Sequence, residues 1–181
     1  ACGRRIRLRG MAAPLSSLLL ERIVNHRFDV VSDHRFVHRT SERVLGAYYT
    51  DSATTLVMAN WALRAPTDRV LEPCFGDGSF LRAIAAVARS KRLTRVQQFG
   101  AELVGEAYAS VVNNALLCPS RTHHGDFLDL APFEVNAVIG NPPYVRLRHL
   151  PRKQQFTALS VASKSLGQPM DPSGSVWMPF V

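Results

Sequence analysis

The segment Asn141-Pro142-Pro143-Tyr144 places an amide, two rigid rings and an aromatic side chain directly after a short apolar segment, residues 135–139. The apolar segment predicts a strand that is buried on both faces, as in a parallel sheet. Prolines end such a strand because they lack the N–H that pairs with a neighbouring strand. A simple loop would explain the prolines but leaves the asparagine and tyrosine unexplained. They stand at the carboxyl end of a strand, where open α/β sheets bind ligands.

A second candidate site is the segment 70–81, in which an acidic turn with two glycines joins a strand to a helix. Gly76 and Gly78 permit a tight turn and the close approach of a ligand to the backbone. The segment has neither the Lys-Ser/Thr pair of a phosphate loop nor the full three-glycine dinucleotide fingerprint. Its carboxylates, Glu72 and Asp77, would repel a pyrophosphate but suit a ligand that carries an ammonium or sulfonium group. S-adenosylmethionine carries both groups.

A further carboxylate, Glu102, stands at the end of the next predicted strand, about 20 residues beyond the turn. A carboxylate at this position can accept hydrogen bonds from both hydroxyls of a ribose. Each acid taken alone is compatible with an ordinary surface position. Their order after successive strand ends favours one shared ligand site.

The elements that would position these residues alternate in type along the chain. Helical patterns cover 54–63, 79–89 and 106–116, and extended patterns cover 70–72, 98–103, the residues before Gly125, and 135–139. This alternation predicts an α/β fold with βαβ units and a doubly wound, mostly parallel sheet. Such a sheet normally has more strands, and residues 177–181 have the pattern of a helix start. We therefore expect a fragment that is truncated after about the fourth strand.

The composition of the 181 residues, with 46% hydrophobic and 20% charged residues, is ordinary for one soluble globular domain. No apolar run approaches the ~20 residues of a membrane-spanning helix. Three cysteines without metal-ligand spacing indicate a reducing cytoplasm. The pair His123-His124 has no second ligand pair at a suitable spacing, so we predict no metal site.

The charge of the chain favours a polyanionic partner. Lys and Arg number 22 against 14 acids, which gives a formal net charge of +8. We expect residues 1–44 to be an Arg-rich extension, of which residues 1–10 precede Met11 and need not be native. A second basic cluster, which includes Arg146 and Arg148, directly follows Tyr144. Its lack of amide side chains before Gln154 favours contacts with phosphates over contacts with bases.

Five segments in this order resemble the motifs of amino-methyltransferases that act on adenine in DNA, in the arrangement where the cofactor motifs precede the catalytic one. The segments are Gly46-Ala47-Tyr48-Tyr49-Thr50, Glu72–Phe80, Glu102, Asp126-Phe127 and Asn141-Pro142-Pro143-Tyr144. The resemblance implies a Rossmann-like methyltransferase fold, with residues 45–181 as a partial catalytic domain and the target-recognition region absent. Asp51 departs from the proline that the family often has, and could cap a helix that starts near Ser52.

The resemblance implies that S-adenosylmethionine is the cofactor. The residues expected to bind it are Tyr49, Thr50, Glu72, Pro73, Gly76, Gly78, Glu102, Asp126 and Phe127. Thr50 would contact the cofactor's carboxylate. Phe127 would pack against the adenine ring of the cofactor, and Asp126 would accept from its amino group.

The resemblance makes Asn141, Pro142 and Tyr144 the catalytic residues. The N6 amine of adenine is a poor nucleophile, because its lone pair is delocalised into the ring. The side-chain oxygen of Asn141 and the carbonyl of Pro142 would accept its two hydrogens and localise the lone pair towards the methyl group. Tyr144 would stack on the target base once it is flipped out of the duplex.

Alternatives remain at this point. Asn-Pro-Pro-Tyr also occurs in methyltransferases that modify protein glutamine or an exocyclic amine in RNA. A non-enzymatic hypothesis is an inactive fragment that binds cofactor or DNA. Gly46–Thr50 followed by Glu-Pro-Cys-x-Gly-x-Gly favours the DNA enzymes, and Asn141, where cytosine-N4 enzymes have serine, favours adenine. Cys74 lies in the cofactor turn rather than in the catalytic position of a cytosine-C5 enzyme.

The expected protein is therefore a site-specific, adenine-specific DNA methyltransferase of a restriction-modification system, in a bacterial or archaeal cytoplasm. Its expected partners are double-stranded DNA and a restriction or specificity subunit. We expect this fragment alone to be inactive.

Overall fold

The computed structural model of the protein describes residues 50–180. The expected extension over residues 1–44 and the segment 46–49, with Tyr49, lie outside the described residues. In chain order the helices and strands are α1 Ser52–Ala62, β1 Arg69–Glu72, α2 Ser79–Ser90, β2 Gln97–Glu102, α3 Gly105–Asn113, β3 Thr122–His124, β4 Ala137–Val138 and α4 Arg152–Leu166. Short 3₁₀ turns lie at Pro119–Arg121, Phe127–Asp129, Leu147–His149 and Met178–Phe180.

The strands of the described residues form one parallel sheet with the order β3-β2-β1-β4. Val70 of β1 lies opposite Gln98 of β2, and Leu71 lies opposite Val138 of β4. The predicted α/β class with a mostly parallel sheet is confirmed. The order reverses between β1 and β4, and at such a point the carboxyl ends of two strands open a crevice.

Helix α1 begins at an aspartate cap. The carboxylate of Asp51 accepts from the Thr54 N–H at 3.0 Å and from the Thr54 hydroxyl at 2.6 Å, as expected for an N-cap residue. The predicted cap is thus confirmed. The buried side of the helix, with Ala59 and then Leu63, joins an apolar cluster that includes Val70 of β1. The cap fixes the first turn of the helix, and the cluster packs the helix against the sheet.

Helix α2 packs between two apolar clusters. Phe80, Ile84 and Val87 recur at helical spacing and pack into the cluster beside α1. Leu81, one position along, packs instead with Phe75. Burying a side chain such as Ile84, which is 0% exposed, contributes ~1.5–3 kcal/mol relative to leaving it in water. The helix therefore holds the turn between β1 and α2 rigidly against the sheet.

Strand β4 differs from the prediction of a strand buried on both faces. Ile139 is only 4% exposed, but Val138 is 55% exposed. Backbone pairing with β1 extends the strand by one bond on each side, from the Asn136 N–H to the Arg69 carbonyl and from the Ile139 N–H to the Leu71 carbonyl. Among the described residues α1 and α2 cover the face that carries Ile139, whereas Val138 lies on the opposite face. The prediction was wrong because a run of apolar residues does not show which face of the strand is covered by helices.

Helix α3 is shorter than the predicted 106–116. It ends at Asn113, and Ala115 then takes a positive φ of 52°. The Leu116 N–H donates to the Val111 carbonyl at 3.1 Å, which closes the last turn. A non-glycine residue in this conformation cannot be read from helical periodicity.

The segment after Tyr144 is held by α4 and by residues 174–176. The Leu147 N–H donates to the Gly174 carbonyl at 2.8 Å, and the Val176 N–H donates to the Val145 carbonyl at 2.7 Å. Leu147, Ala158 and Val176 are buried together. The described residues contain no helix that is long and apolar enough to cross a membrane.

Candidate functional site

A cavity of about 170 Å³ lies at the carboxyl ends of β1, β2 and β4. Most of the residues predicted for the site line it, namely Thr50, Glu72, Pro73, Gly76, Glu102, Asp126, Phe127 and Asn141. Gly78, Pro142 and Tyr144 do not. Residues far apart in sequence thus meet in one cavity, as expected where parallel strands end at the same edge of a sheet.

The glycine turn has the backbone conformation that its sequence predicts. Gly76 and Gly78 have φ angles of 50° and 79°, a region that favours glycine. A Cβ on Gly78 would lie 3.1 Å from the side chains of both Val111 and Leu116. Glycine is therefore required at position 78 by the backbone conformation and by the close packing behind the cavity. Gly76 lies in the cavity wall.

Glu102 is built into the turn by backbone hydrogen bonds. Its Oε2 accepts from the Gly76 N–H and its Oε1 from the Val104 N–H, both at 2.7 Å. The side chain is only 7% exposed. Each carboxylate oxygen keeps a second lone pair for a ligand. The sequence predicted Glu102 as a ligand residue but did not predict that its carboxylate also holds Gly76 in place.

Glu72 is the most buried carboxylate of the cavity. It is 2% exposed, and its Oε2 has no hydrogen-bond partner in the described part of the chain. Burial raises the pKa of this carboxyl well above its ordinary value, and the nearby charges of Asp77 and Glu102 add to the effect. Among residues 50–180 no salt bridge reaches Glu72. A buried carboxyl oxygen without a hydrogen-bond partner in a cavity wall is what a cationic ligand would complement.

Asp77 is engaged in the start of α2. Its Oδ1 accepts from the Ser79 N–H at 2.9 Å and from the Ser79 hydroxyl at 2.6 Å. Its Oδ2 lies 3.2 Å from a guanidinium nitrogen of Arg82. Asp77 therefore caps the helix, and its charge is already paired, unlike that of Glu72.

Asp126 and Phe127 form another wall of the cavity. The Asp126 carboxylate accepts from the Leu128 N–H at 3.0 Å. The ring of Phe127 stacks on that of Phe180, with centroids 5.3 Å apart and planes 25° from parallel. Both rings line the cavity. No sequence pattern pointed to Phe180, because its position beside Phe127 depends on the path of residues 145–180.

Asn141 is held against both the glycine turn and the start of α1. Its amide nitrogen donates to the Thr50 hydroxyl oxygen at 3.3 Å. The Cys74 thiol donates to the Asn141 carbonyl at 3.7 Å, and burial raises the pKa of this thiol, which keeps it protonated. A Cβ on Gly140 would lie 3.3 Å from a ring carbon of Pro73. The catalytic candidate is thus packed directly on the turn.

Tyr144 and the basic residues that follow lie outside the cavity. Tyr144 is 59% exposed. The guanidinium of Arg146 donates to the Ser173 carbonyl at 3.0 Å, while Arg148 is exposed and donates to the His149 ring at 3.3 Å. No Asp or Glu occurs between Glu134 and Asp171. The segment from Tyr144 to Met170 therefore carries basic side chains and no acidic ones.

The described residues contain no group of three or more His, Cys, Asp or Glu side chains that could hold a metal ion. His124 instead stacks on Tyr108, with ring centroids 4.6 Å apart.

Comparisons with known proteins identify the family. No curated protein matches the chain. Among solved structures, the type I restriction-modification system methyltransferase subunit from Streptococcus thermophilus is similar, with 21% identity and a TM-score of 0.47. The match covers 71% of this chain and 29% of that subunit, so the chain spans less than a third of its length. The family described as N-6 DNA Methylase matches residues 35–168, and the chain belongs to this family.

Proposed function

We propose that this protein transfers the methyl group of S-adenosylmethionine to the N6 amine of adenine in double-stranded DNA. The observation that carries the proposal is a single cavity in which the acidic glycine turn and Asn141 lie side by side. We further propose a cytoplasmic restriction-modification enzyme that works with a specificity or restriction subunit, in which transfer requires the full-length enzyme.

The residues of the cavity fit such a cofactor. Glu72 offers a buried carboxyl group whose Oε2 has no hydrogen-bond partner in the described residues, which suits an ammonium or sulfonium group. Glu102 keeps acceptor capacity for ribose hydroxyls while its backbone bonds hold it still. The stacked rings of Phe127 and Phe180 provide an aromatic wall for a purine. When bound, the cofactor would supply an electrophilic methyl group.

The residues of the protein would make the N6 amine of adenine more nucleophilic. The Asn141 side-chain oxygen and the Pro142 carbonyl would accept the two amine hydrogens and localise the nitrogen lone pair. Asn141 is held by its contacts with Thr50 and Cys74, so the acceptor does not have to be ordered during the reaction. The exposed ring of Tyr144 would stack on the extruded base, which requires a ring outside the cofactor cavity.

The basic segment after Tyr144 would bind the DNA backbone. Arg146 is oriented by the Ser173 carbonyl, and Arg148, Arg152 and Lys153 are exposed. Point charges of this kind position a duplex without reading its sequence.

The test is methyl transfer from radiolabelled cofactor by the full-length enzyme, followed by nucleoside analysis of the product. The expected result is label in N6-methyladenine from duplex DNA, and none with the Asn141→Ala variant. Label in N4-methylcytosine, in RNA or in a protein glutamine would replace the proposed substrate with that one. Cofactor binding without transfer to any of these would favour a binding protein and contradict the proposal.

A further inference from the structure

Asn141 is held in place by residues that are distant in sequence. Its side-chain nitrogen donates to Thr50 Oγ1 across 91 positions, and its carbonyl accepts from the Cys74 thiol across 67 positions. The second contact holds the backbone of Asn141. The first acts on the amide itself and therefore on the group that is proposed to meet the substrate.

Thr50 is well placed to hold another side chain still. It directly precedes Asp51, whose carboxylate accepts from both the N–H and the hydroxyl of Thr54. The helix that Asp51 caps is anchored in turn by Ala59, which is 0% exposed. The Thr50 hydroxyl is thus attached to a packed helix, although it lies in the cavity wall.

A primary amide has an acceptor at one end and donors at the other, and only the acceptor can receive a hydrogen from an amine. In the structure the donor end of Asn141 is turned to Thr50, so the oxygen end faces away from it. We propose that Thr50 is a positioning residue, whose hydroxyl oxygen selects the orientation of the Asn141 amide that presents Oδ1 to the substrate amine. This inference rests on the proposed function.

The group to which the Thr50 hydroxyl donates its proton decides whether the Thr50 oxygen can accept from the Asn141 amide. A hydroxyl donates one hydrogen and accepts through its lone pairs. If the proton goes to the carboxylate of the bound cofactor, the oxygen remains an acceptor for the Asn141 NH₂ group. The bound cofactor would then favour the productive orientation of the amide. If Thr50 contacted only the cofactor, its loss would change only the affinity for the cofactor. If it also orients the Asn141 amide, its loss changes the transfer rate at saturating cofactor and DNA.

The test compares Thr50→Val, which removes the hydroxyl at similar volume, with Thr50→Ser, which keeps it. Thr122→Val is the matched control, because it removes a threonine hydroxyl and its hydrogen bond to the Pro119 carbonyl outside the cavity. For each full-length variant, calorimetry gives the S-adenosylmethionine affinity, and single-turnover assays give the transfer rate with cofactor and DNA saturating. Spectra of protein labelled with ¹⁵N-asparagine report the side-chain amide without cofactor, with the Asn141 signals identified by their loss in Asn141→Ala.

We expect Thr50→Val to lower the saturated transfer rate by roughly tenfold, the upper range for one neutral hydrogen bond. Thr50→Ser should restore most of it, and Thr122→Val should keep the wild-type rate. The Asn141 amide signals should shift in Thr50→Val and stay near their wild-type positions in Thr50→Ser. An unchanged saturated rate in Thr50→Val with weaker cofactor binding, or unshifted amide signals, would overturn the inference. A wild-type enzyme that transfers no methyl group would overturn the proposed function instead, and the amide spectra would still decide the contact.

Discussion

Replacing Glu72 by glutamine tests the electrostatics of the cavity. Glu72 is 2% exposed, its Oε2 lacks a partner among the described residues, and the carboxylates of Asp77 and Glu102 lie near enough to disfavour its charge. Glutamine has nearly the same shape as the protonated carboxyl group but cannot ionise. The variant therefore fixes this position in the form that burial favours.

The effect on stability has a defined sign and slope. The pKa of Glu72 is raised in the folded protein above its ordinary value of 4.5, by burial first and by the two neighbouring charges second. Between pH 4.5 and the raised pKa the folded protein holds one proton more than the unfolded chain. Its free energy of unfolding should therefore fall as the pH rises, by at most about 1.4 kcal/mol per pH unit from this group. Glu72→Gln loses this dependence, so its stability advantage over the wild type should widen across that window.

A cationic ligand should act in the opposite direction. It stabilises ionised Glu72, so binding releases a proton and the affinity for S-adenosylmethionine should rise with pH by up to about tenfold per unit in the same window. Urea unfolding at a series of pH values measures the first effect. Calorimetry in buffers with different ionisation enthalpies counts the protons released. Glu134→Gln is the control, because it removes an exposed carboxylate outside the cavity.

Two results would refute the reasoning about Glu72. One is a wild-type stability profile that follows that of Glu72→Gln across the window, since Glu72 would then not be held neutral. The other is cofactor binding without a proton release that depends on Glu72, since the carboxyl group would then not meet the cation. The stability measurement needs no cofactor and so decides the burial argument by itself.

Three further predictions address the turn, the DNA surface and the catalytic segment. Gly78→Ala should lower the free energy of unfolding by ~1–3 kcal/mol in urea titrations, because φ is +79° and the new Cβ would lie 3.1 Å from Leu116; an unchanged midpoint would show that the turn relaxes. Arg148→Ala should reduce the salt slope of log DNA affinity by ~1 and leave the methylated sites unchanged; altered sites would indicate base contacts. Asn141→Ala should lower kcat by about a hundredfold or more, whereas Tyr144→Ala should weaken flipping of a fluorescent base by ~1–3 kcal/mol and Tyr144→Phe should retain activity. Full activity of Asn141→Ala, or loss of transfer in Tyr144→Phe, would contradict the assigned roles.

The meeting of the site residues was predictable because it follows from strand direction. Glu72 and Glu102 end β1 and β2, and Asn141 follows β4; in a parallel sheet these strand ends share one edge. The Asp51 cap was equally predictable, because an N-cap depends on residues within one turn. The ligand roles assigned to these residues stay predictions.

The features that the sequence did not predict all depend on contacts between distant segments. Val138 and Ile139 are adjacent and both apolar, yet one is 55% and the other 4% exposed. Phe180 reaches Phe127 only because residues 174–176 pair with residues 145–147. Hydrophobic periodicity reports the preferences of a segment but not which other segment covers it.

The two buried acids of the cavity differ in a way that the sequence motifs do not predict. Glu72 and Glu102 were predicted by the same argument, as carboxylates after successive strands, and both are almost fully buried. Glu102 accepts two backbone hydrogen bonds from the turn and the start of α3, which offset the cost of burying its charge. Glu72 has no such partner at Oε2, and one of the two bonds that distinguish Glu102 comes from Gly76, 26 residues away. Glu102 therefore stabilises the turn, whereas burial raises the pKa of Glu72, and a cationic ligand would favour its charged form.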